Sequence, residues 1–332
     1  MSNNHVVDIE NIKVHFDIKR SLAQDIISKK KIILKAVDGI SFSIAKGEIL
    51  SLVGESGSGK TTTGKAILQL APLTEGSVNF LGEEVRGNDK VYMKEFRQNA
   101  QMIFQDPYQS VNPRNIVMDI VAEPLDVHGL VKTEAEREER VRHALEQAGM
   151  NPAEDYLYRY PHELSGGQRQ RVVLASSMIL EPKFVVADEP VSMLDASIRT
   201  GILKLLLELR EKKALSYLFI THDLSLAWLI SDRIAIMYLG KIMEIGKPDL
   251  IIHKGIHPYT RALTAIMPKP GIGRKEGRRI LPGETPSPIE EINGCKFCTR
   301  CPIAKDICKE IEPLMEELES GHFVACHFAK EI

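Results

Sequence analysis

Three clusters of residues in this 332-residue chain have the types and spacing needed to handle anions and water. The first is Gly54, Glu55, Ser56, Gly57, Ser58, Gly59, Lys60, Thr61 and Thr62. Its glycines let successive backbone N–H groups close around phosphate oxygens, Lys60 would bridge the β and γ phosphates, and the Thr61 hydroxyl suits Mg²⁺. The second is Asp188-Glu189, two adjacent carboxylates after the apolar run Phe184 to Ala187. Successive strand residues point to opposite sides, so the two acids should differ in role: Asp188 in the Mg²⁺ shell, Glu189 polarising an attacking water. The third is Leu164, Ser165, Gly166, Gly167 and Gln168, placed ahead of a good helical sequence ending at Leu180. It would aim a hydroxyl and amides at an anion from a helix N-terminus, although by itself it reads rather as an ordinary cap.

A fourth cluster is made of thiols. Cys295, Cys298, Cys301, Cys308 and Cys326 are the only cysteines of the chain. Their spacing suits four sulfur ligands on an iron-sulfur cluster or a structural zinc, with free buried thiols as the plainer alternative. From spacing alone Cys295, Cys298 and Cys301 would be chosen first.

These groups need a scaffold. Glu48 to Val53 is an apolar run that enters the glycine loop directly, and Thr61 to Leu70 follows with helix formers, which predicts strand, phosphate loop, helix. Val6 to Phe16 and Ile32 to Ile44 predict strands ahead of it. Met118 to Leu180 turns helical, with Thr133 to Arg142 running to a stop at Gly149. Lys183 to Ala187, Ser216 to Thr221 and Arg233 to Tyr238 read as buried strands. The pattern predicts an α/β fold with a mainly parallel sheet, and an inserted helical subdomain at about 106–175. Prolines and glycines crowd the chain after Met267, so residues 268–332 are expected to form an appendage to a domain spanning 1–267.

Composition excludes some classes. Lys and Arg total 43 against 45 Asp and Glu, which argues against a broadly basic nucleic-acid surface. Apolar runs such as Leu224 to Ile230 fall short of the ~20 residues a membrane-spanning helix needs. The N-terminus lacks the pattern of a secretory signal, so a cytoplasmic location is expected.

The order of the glycine loop, Gln105, Leu164-Ser-Gly-Gly-Gln168, Asp188-Glu189, Leu194-Asp195 and His222 resembles the ATP-binding cassette family. That resemblance implies a P-loop ATPase core with an antiparallel β subdomain, an inserted helical subdomain and ATP with Mg²⁺ as ligands. It further implies Gln105 as a sensor of Mg²⁺ and water, His222 as a contact to the γ phosphate and Asp195 as a link across a dimer. Ser165, Gly166 and Gly167 would act in trans on the nucleotide of a neighbouring cassette, and Phe16 would stack on adenine. Ser192-Met193 departs slightly from the commoner Ser-Ala of this family.

The oligopeptide and dipeptide importer branch is resembled by Gln105 to Pro113, Asp188 to Ser192, His257 to Leu263, Gly283 to Pro288 and the segment from Gly294-Cys295 onward. That likeness implies a peripheral subunit at the cytoplasmic face of the membrane. Its partners would be a second, related ATPase in a heterodimer, two transmembrane permease subunits and, indirectly, an extracellular substrate-binding protein. It also implies Cys295, Cys301, Cys308 and Cys326 as ligands, with a [4Fe-4S] cluster ahead of zinc. Rival readings are a soluble ATPase of the superfamily acting on nucleic acid or ribosomes, a tail acting as a redox or iron sensor, and a cargo of nickel chelate or glutathione. Ser21 to Lys31, with its Lys29-Lys30-Lys31 run, reads as a solvated loop or a contact to a partner or lipid.

Overall fold

The computed structural model describes residues 4–18, 32–267, 286–287, 289 and 292–332. The lysine run before residue 32 and most of Gly283 to Pro288 lie outside these described residues. In chain order the elements are β1 (His5–Ile18), β2 (Ile32–Ala45), β3 (Ile49–Val53), α1 (Lys60–Ile67), β4 (Glu75–Phe80), β5 (Glu83–Glu84), α2 (Lys90–Asn99), β6 (Ala100–Ile103), α3 (Val117–His128), α4 (Glu134–Gln147), α5 (Gly166–Met178), β7 (Phe184–Asp188) and α6 (Ala196–Lys213). They continue with β8 (Ser216–Thr221), α7 (Leu224–Ile230), β9 (Arg233–Tyr238), β10 (Lys241–Gly246), α8 (Pro248–Lys254), α9 (Pro258–Ile266), α10 (Ile307–Glu310), β11 (Glu316–Glu319) and β12 (His322–Val324). Among the described residues no helix is long and apolar enough to cross a membrane. Two compact units divide the chain: the described residues of Met1–Val6, Ile44–Glu48 and Leu81–Phe219, and those of Val7–Ser43, Ile49–Phe80 and Ile220–Ile332.

The second unit carries the phosphate loop. Its β3 is buried at all five residues and runs parallel to β9, Leu50 opposite Arg233 and Val53 opposite Ile236. A strand covered on both faces has no reason to alternate, which is why Ile49 to Val53 is a continuous apolar run apart from Ser51. β1 and β4 pair antiparallel, Val7 opposite Phe80 and Ile9 opposite Val78. The appendage adds strands of its own: β12 pairs antiparallel with β10, and β11 with β12. Proline and glycine content gave no sign of this hairpin.

What pins the hairpin is a buried carboxylate. Glu244, fully buried on β10, accepts from the backbone N–H groups of Ile256 and His257 at 2.9 Å each, and its Oε1 lies 2.7 Å from His322 Nε2. An ionisable group at such depth is tolerated only when its lone pairs are satisfied, and here β12 supplies one of the partners. Around it the rings of Tyr238, Tyr259 and Phe297, all fully buried, pack with centroids 4.8 to 5.3 Å apart. Burying an aromatic side chain of that size is worth about 1.5–3 kcal/mol, so Phe297 is a substantial anchor for the appendage.

The first unit holds α2 to α6. β6 and β7 are parallel, Ala100 opposite Phe184 and Ile103 opposite Ala187. α4 begins where its sequence indicates: the Thr133 hydroxyl accepts from the Glu136 N–H at 3.2 Å, and the chain leaves through Gly149 at φ 76°. α3, α4 and α5 pack on one another through Val117, Val121, Leu125, Val141, Leu145 and Val172, all buried.

Candidate functional site

The phosphate loop lies between β3 and α1, as the sequence predicts. Gly59 caps α1 in a left-handed conformation, φ 104°, and a Cβ there would sit 2.1 Å from the Ala36 carbonyl oxygen, so only glycine fits. A Cβ at Gly57 would meet nothing within 4 Å, which leaves that face of the loop open to a phosphate. Lys60 is 6% exposed and folds back on the loop, donating to the carbonyls of Gly54 (2.9 Å) and Glu55 (2.8 Å) and to Ser58 Oγ (3.3 Å). Ser58 is buried and Ser56 exposed, with Thr61 and Thr62 partly exposed in the first turn of α1.

The appendage walls this loop. Arg300 Nη1 donates to Glu55 Oε2 at 2.9 Å and to the Tyr238 hydroxyl at 3.4 Å. The Glu55 N–H donates to the Tyr259 hydroxyl at 3.0 Å. Burial works against the Arg300 charge, but the bonds to Glu55 and Tyr238 hold its pKa above the usual value. Burial likewise raises the hydroxyls of Tyr238 and Tyr259, which stay neutral donors and acceptors. Lys296 reaches Asp38 at 3.5 Å, and His15 Nε2 lies 3.0 Å from the same carboxylate. Burial pulls the Asp38 carboxyl upward, but Lys241, Lys296 and the His15 bond outweigh it and keep the group below the ordinary carboxylate range. Sequence reasoning gave Arg300 and Asp38 no role. The one available signal was an arginine set among cysteines.

Phe16, 39% exposed near the end of β1, presents a ring that can stack. His222 follows β8 and is exposed, while Asp223 beside it caps α7 by accepting from the N–H groups of Ser225 (2.9 Å) and Leu226 (3.2 Å). The loop, Phe16 and His222 belong to the second unit.

Gln105, the stretch Leu164 to Gln168, the carboxylates Asp188 and Glu189, and Asp195 belong to the first unit. Asp188 ends β7 at 3% exposure. Glu189 follows in the left-handed region, φ 47°, a strained backbone for a residue with a side chain. Two bonds hold it: its carbonyl accepts from the Ser192 N–H (3.1 Å) and hydroxyl (3.0 Å). Gln105 Nε2 donates to Glu189 Oε2 at 3.2 Å, so residues 84 apart in sequence meet. The loop after Gln105 is ordered by Asp106, whose side chain accepts from the Tyr108 N–H at 2.8 Å. The Arg169 guanidinium lies over the Tyr108 ring at 4.2 Å, which ties the glutamine loop to α5.

Ser165 is the N-cap of α5 in a reciprocal capping box: the Gln168 N–H donates to Ser165 Oγ (3.3 Å), and the Ser165 N–H to Gln168 Oε1 (2.9 Å). Ser165 is exposed, Leu164 buried, and a Cβ on Gly167 would press within 2.6 Å of Ile198 on α6. Asp195 is exposed at the N-cap of α6 and makes no side-chain capping bond.

The thiols do not meet the expectation of a metal centre. Cys295 and Cys308 are buried, and Cys298, Cys301 and Cys326 partly so. Among the described residues no three His, Cys, Asp or Glu side chains are placed to hold a metal ion. Burial pushes the Cys295 thiol up to about 12 and raises those of Cys298, Cys301 and Cys326. The [4Fe-4S] and zinc assignments therefore gain no support from this geometry, and Cys295, Cys298 and Cys308 instead line the same apolar core as Phe297.

Comparison with known proteins bears on the whole chain. Residues 37–192 match the ABC transporter family, and 243–308 match the oligopeptide/dipeptide transporter C-terminal region. The chain is 44% identical over 328 residues to the oligopeptide transport ATP-binding protein AppF of Bacillus subtilis, covering 97% of each. It is 42% identical over 323 residues to the oligopeptide transport ATP-binding protein OppF of Salmonella typhimurium, covering 97% of this chain and 95% of that one. A solved dimeric bacterial ABC transporter cassette, MJ0796, superposes with a TM-score of 0.63 at 26% identity, over 73% of this chain and 98% of its own.

Proposed function

Since the chain belongs to the ABC transporter ATPase family, we propose that it hydrolyses ATP to power the import of peptides through partner membrane subunits. The observation that carries the peptide assignment is the oligopeptide/dipeptide transporter C-terminal region, present at 243–308 beside a complete set of cassette motifs. The relatives give the rival readings, a nucleic-acid or ribosome ATPase among them, no support.

In this reading residues 1–267 are the ATPase domain and 268–332 the extension. The loop from Gly54 to Thr62 cradles the phosphates, and Lys60 exchanges its loop carbonyls for phosphate oxygens. Mg²⁺ takes hard oxygen donors, which the Thr61 hydroxyl, the Gln105 amide oxygen and the Asp188 carboxylate would each supply, and it would neutralise phosphate charge. Glu189 accepts the proton of the attacking water, and Gln105 fixes the orientation of that carboxylate. His222 contacts the γ phosphate, and Phe16 stacks on the adenine.

Ser165, Gly166, Gly167 and Asp195 serve a second ATPase, in a heterodimer that sits at the cytoplasmic face of the membrane on two permease subunits fed by an external binding protein. Supporting this are the exposure of Ser165 and Asp195 and the absence of a spanning helix among the described residues.

The test is Glu189→Gln. Binding of MgATP should persist while turnover falls by at least about 100-fold, the usual contribution of a general base. Turnover at the wild-type rate would remove the assignment.

A further inference from the structure

Glu55 places a carboxylate inside the loop that must accept a polyanion. Its carbonyl binds Lys60, its N–H is taken by Tyr259, and its carboxylate is met by Arg300 from the cysteine-bearing appendage. Arg300 is 7% exposed, and the same Nη1 also donates to the Tyr238 hydroxyl, with the buried Phe297 three residues before it. A carboxylate in the loop that would hold a triphosphate would act on it over a short range, where salt with a Debye length of about 8 Å screens the repulsion only in part.

We infer that Arg300 is a positioning residue for nucleotide binding, which cancels the Glu55 charge and so sets the affinity of the phosphate loop for ATP. The appendage thereby does more than cover a surface: it decides the electrostatic sign of the loop. With Glu55, Lys60 and Arg300 all charged the loop carries a net positive charge. Removing Arg300 brings it to neutrality, and removing Glu55 makes it more positive.

This inference rests on the nucleotide site proposed above and predicts an order of affinities. Equilibrium binding of Mg·AMP-PNP to the purified full chain should be tightest for Glu55→Gln, equal within about twofold for wild type and Glu55→Gln/Arg300→Gln, and weakest for Arg300→Gln. The last should bind about tenfold more weakly than wild type at low salt, and that deficit should shrink at high salt. In ATP hydrolysis Arg300→Gln should raise KM and leave kcat near wild type, and Arg300→Lys, which keeps the charge, should restore affinity.

A double variant that binds as weakly as Arg300→Gln would overturn the inference, since a merely structural ion pair is absent from both. So would an Arg300→Gln variant with lowered melting temperature and unchanged affinity. Should Arg300→Gln not fold, the ranking of Glu55→Gln above wild type and the recovery in Arg300→Lys still decide the matter. Lys60→Ala separates the two levels of the argument: unchanged binding there would remove the nucleotide site itself, whereas loss there with none in Arg300→Gln would remove only the role of the appendage.

Discussion

Lys60 and Ser165 each stand at the start of a helix, yet their surroundings are opposite. Lys60 is 6% exposed and bonded to three oxygens of its own loop, whose Glu55 is in turn held by Tyr259 and Arg300. Ser165 is exposed, and its hydroxyl and N–H are bonded to Gln168 of its own helix. A loop braced from behind has been shaped to hold a ligand by this chain alone. On the proposed reading, a helix end that faces outward would meet something that another chain brings.

The contrast breaks most severely at Gly59. Gly59→Ala would drive a Cβ into the Ala36 carbonyl and force a left-handed φ on alanine, so MgATP binding should fall by more than about 100-fold, read by equilibrium titration. Retained binding would mean the loop is not the tightly built half of the comparison. Ser165→Arg comes next. The isolated chain should bind nucleotide as wild type does, while hydrolysis by the assembled pair falls about tenfold or more, as loss of a transition-state anion donor does. Equal loss of binding in the isolated chain would erase the distinction between the two helix ends.

A smaller effect follows from His257. Burial lowers its pKa from 6.5 to about 4, and Nδ1 accepts the Tyr259 N–H at 3.1 Å, which requires the neutral ring. Because the folded pKa is depressed, the unfolded chain takes up the proton first. The stability due to the neutral ring is therefore complete above about pH 6.5 and lost as pH falls toward 4, by about 3 kcal/mol at most. His257→Asn keeps a capping acceptor without titrating, so the fall in melting temperature between pH 7 and 5 should be shallower than in wild type. Identical pH profiles would deny His257 this part in supporting the loop.

Much of the scaffold could be read from the residues because its signals are local. Glycine spacing, continuous apolar runs at Ile49 to Val53 and Phe184 to Ala187, and the Thr133 cap each act within a few residues of themselves. What could not be read depends on distant partners. Glu244 looks like a solvated charge in Lys241 to Gly246 until His322 arrives on β12 to meet it. Arg300 acquires meaning only through Glu55, 245 residues away. The cysteine spacing suggested a ligand set because it counts residues along the chain, whereas the fold turns Cys295 and Cys308 into core side chains.

The pairing of β12 with β10 also has a consequence for how copies of this protein behave toward one another. By covering β10, the appendage moves the open rim of the sheet outward to β11, whose residues are Glu316, Glu317, Leu318 and Glu319. A bare β10 would offer its row of backbone groups to any stray strand, whereas a rim of glutamates repels its own likeness. A chain shortened before the appendage would thus be a stickier protein as well as a smaller one, and the acidic hairpin serves as its safeguard against self-association.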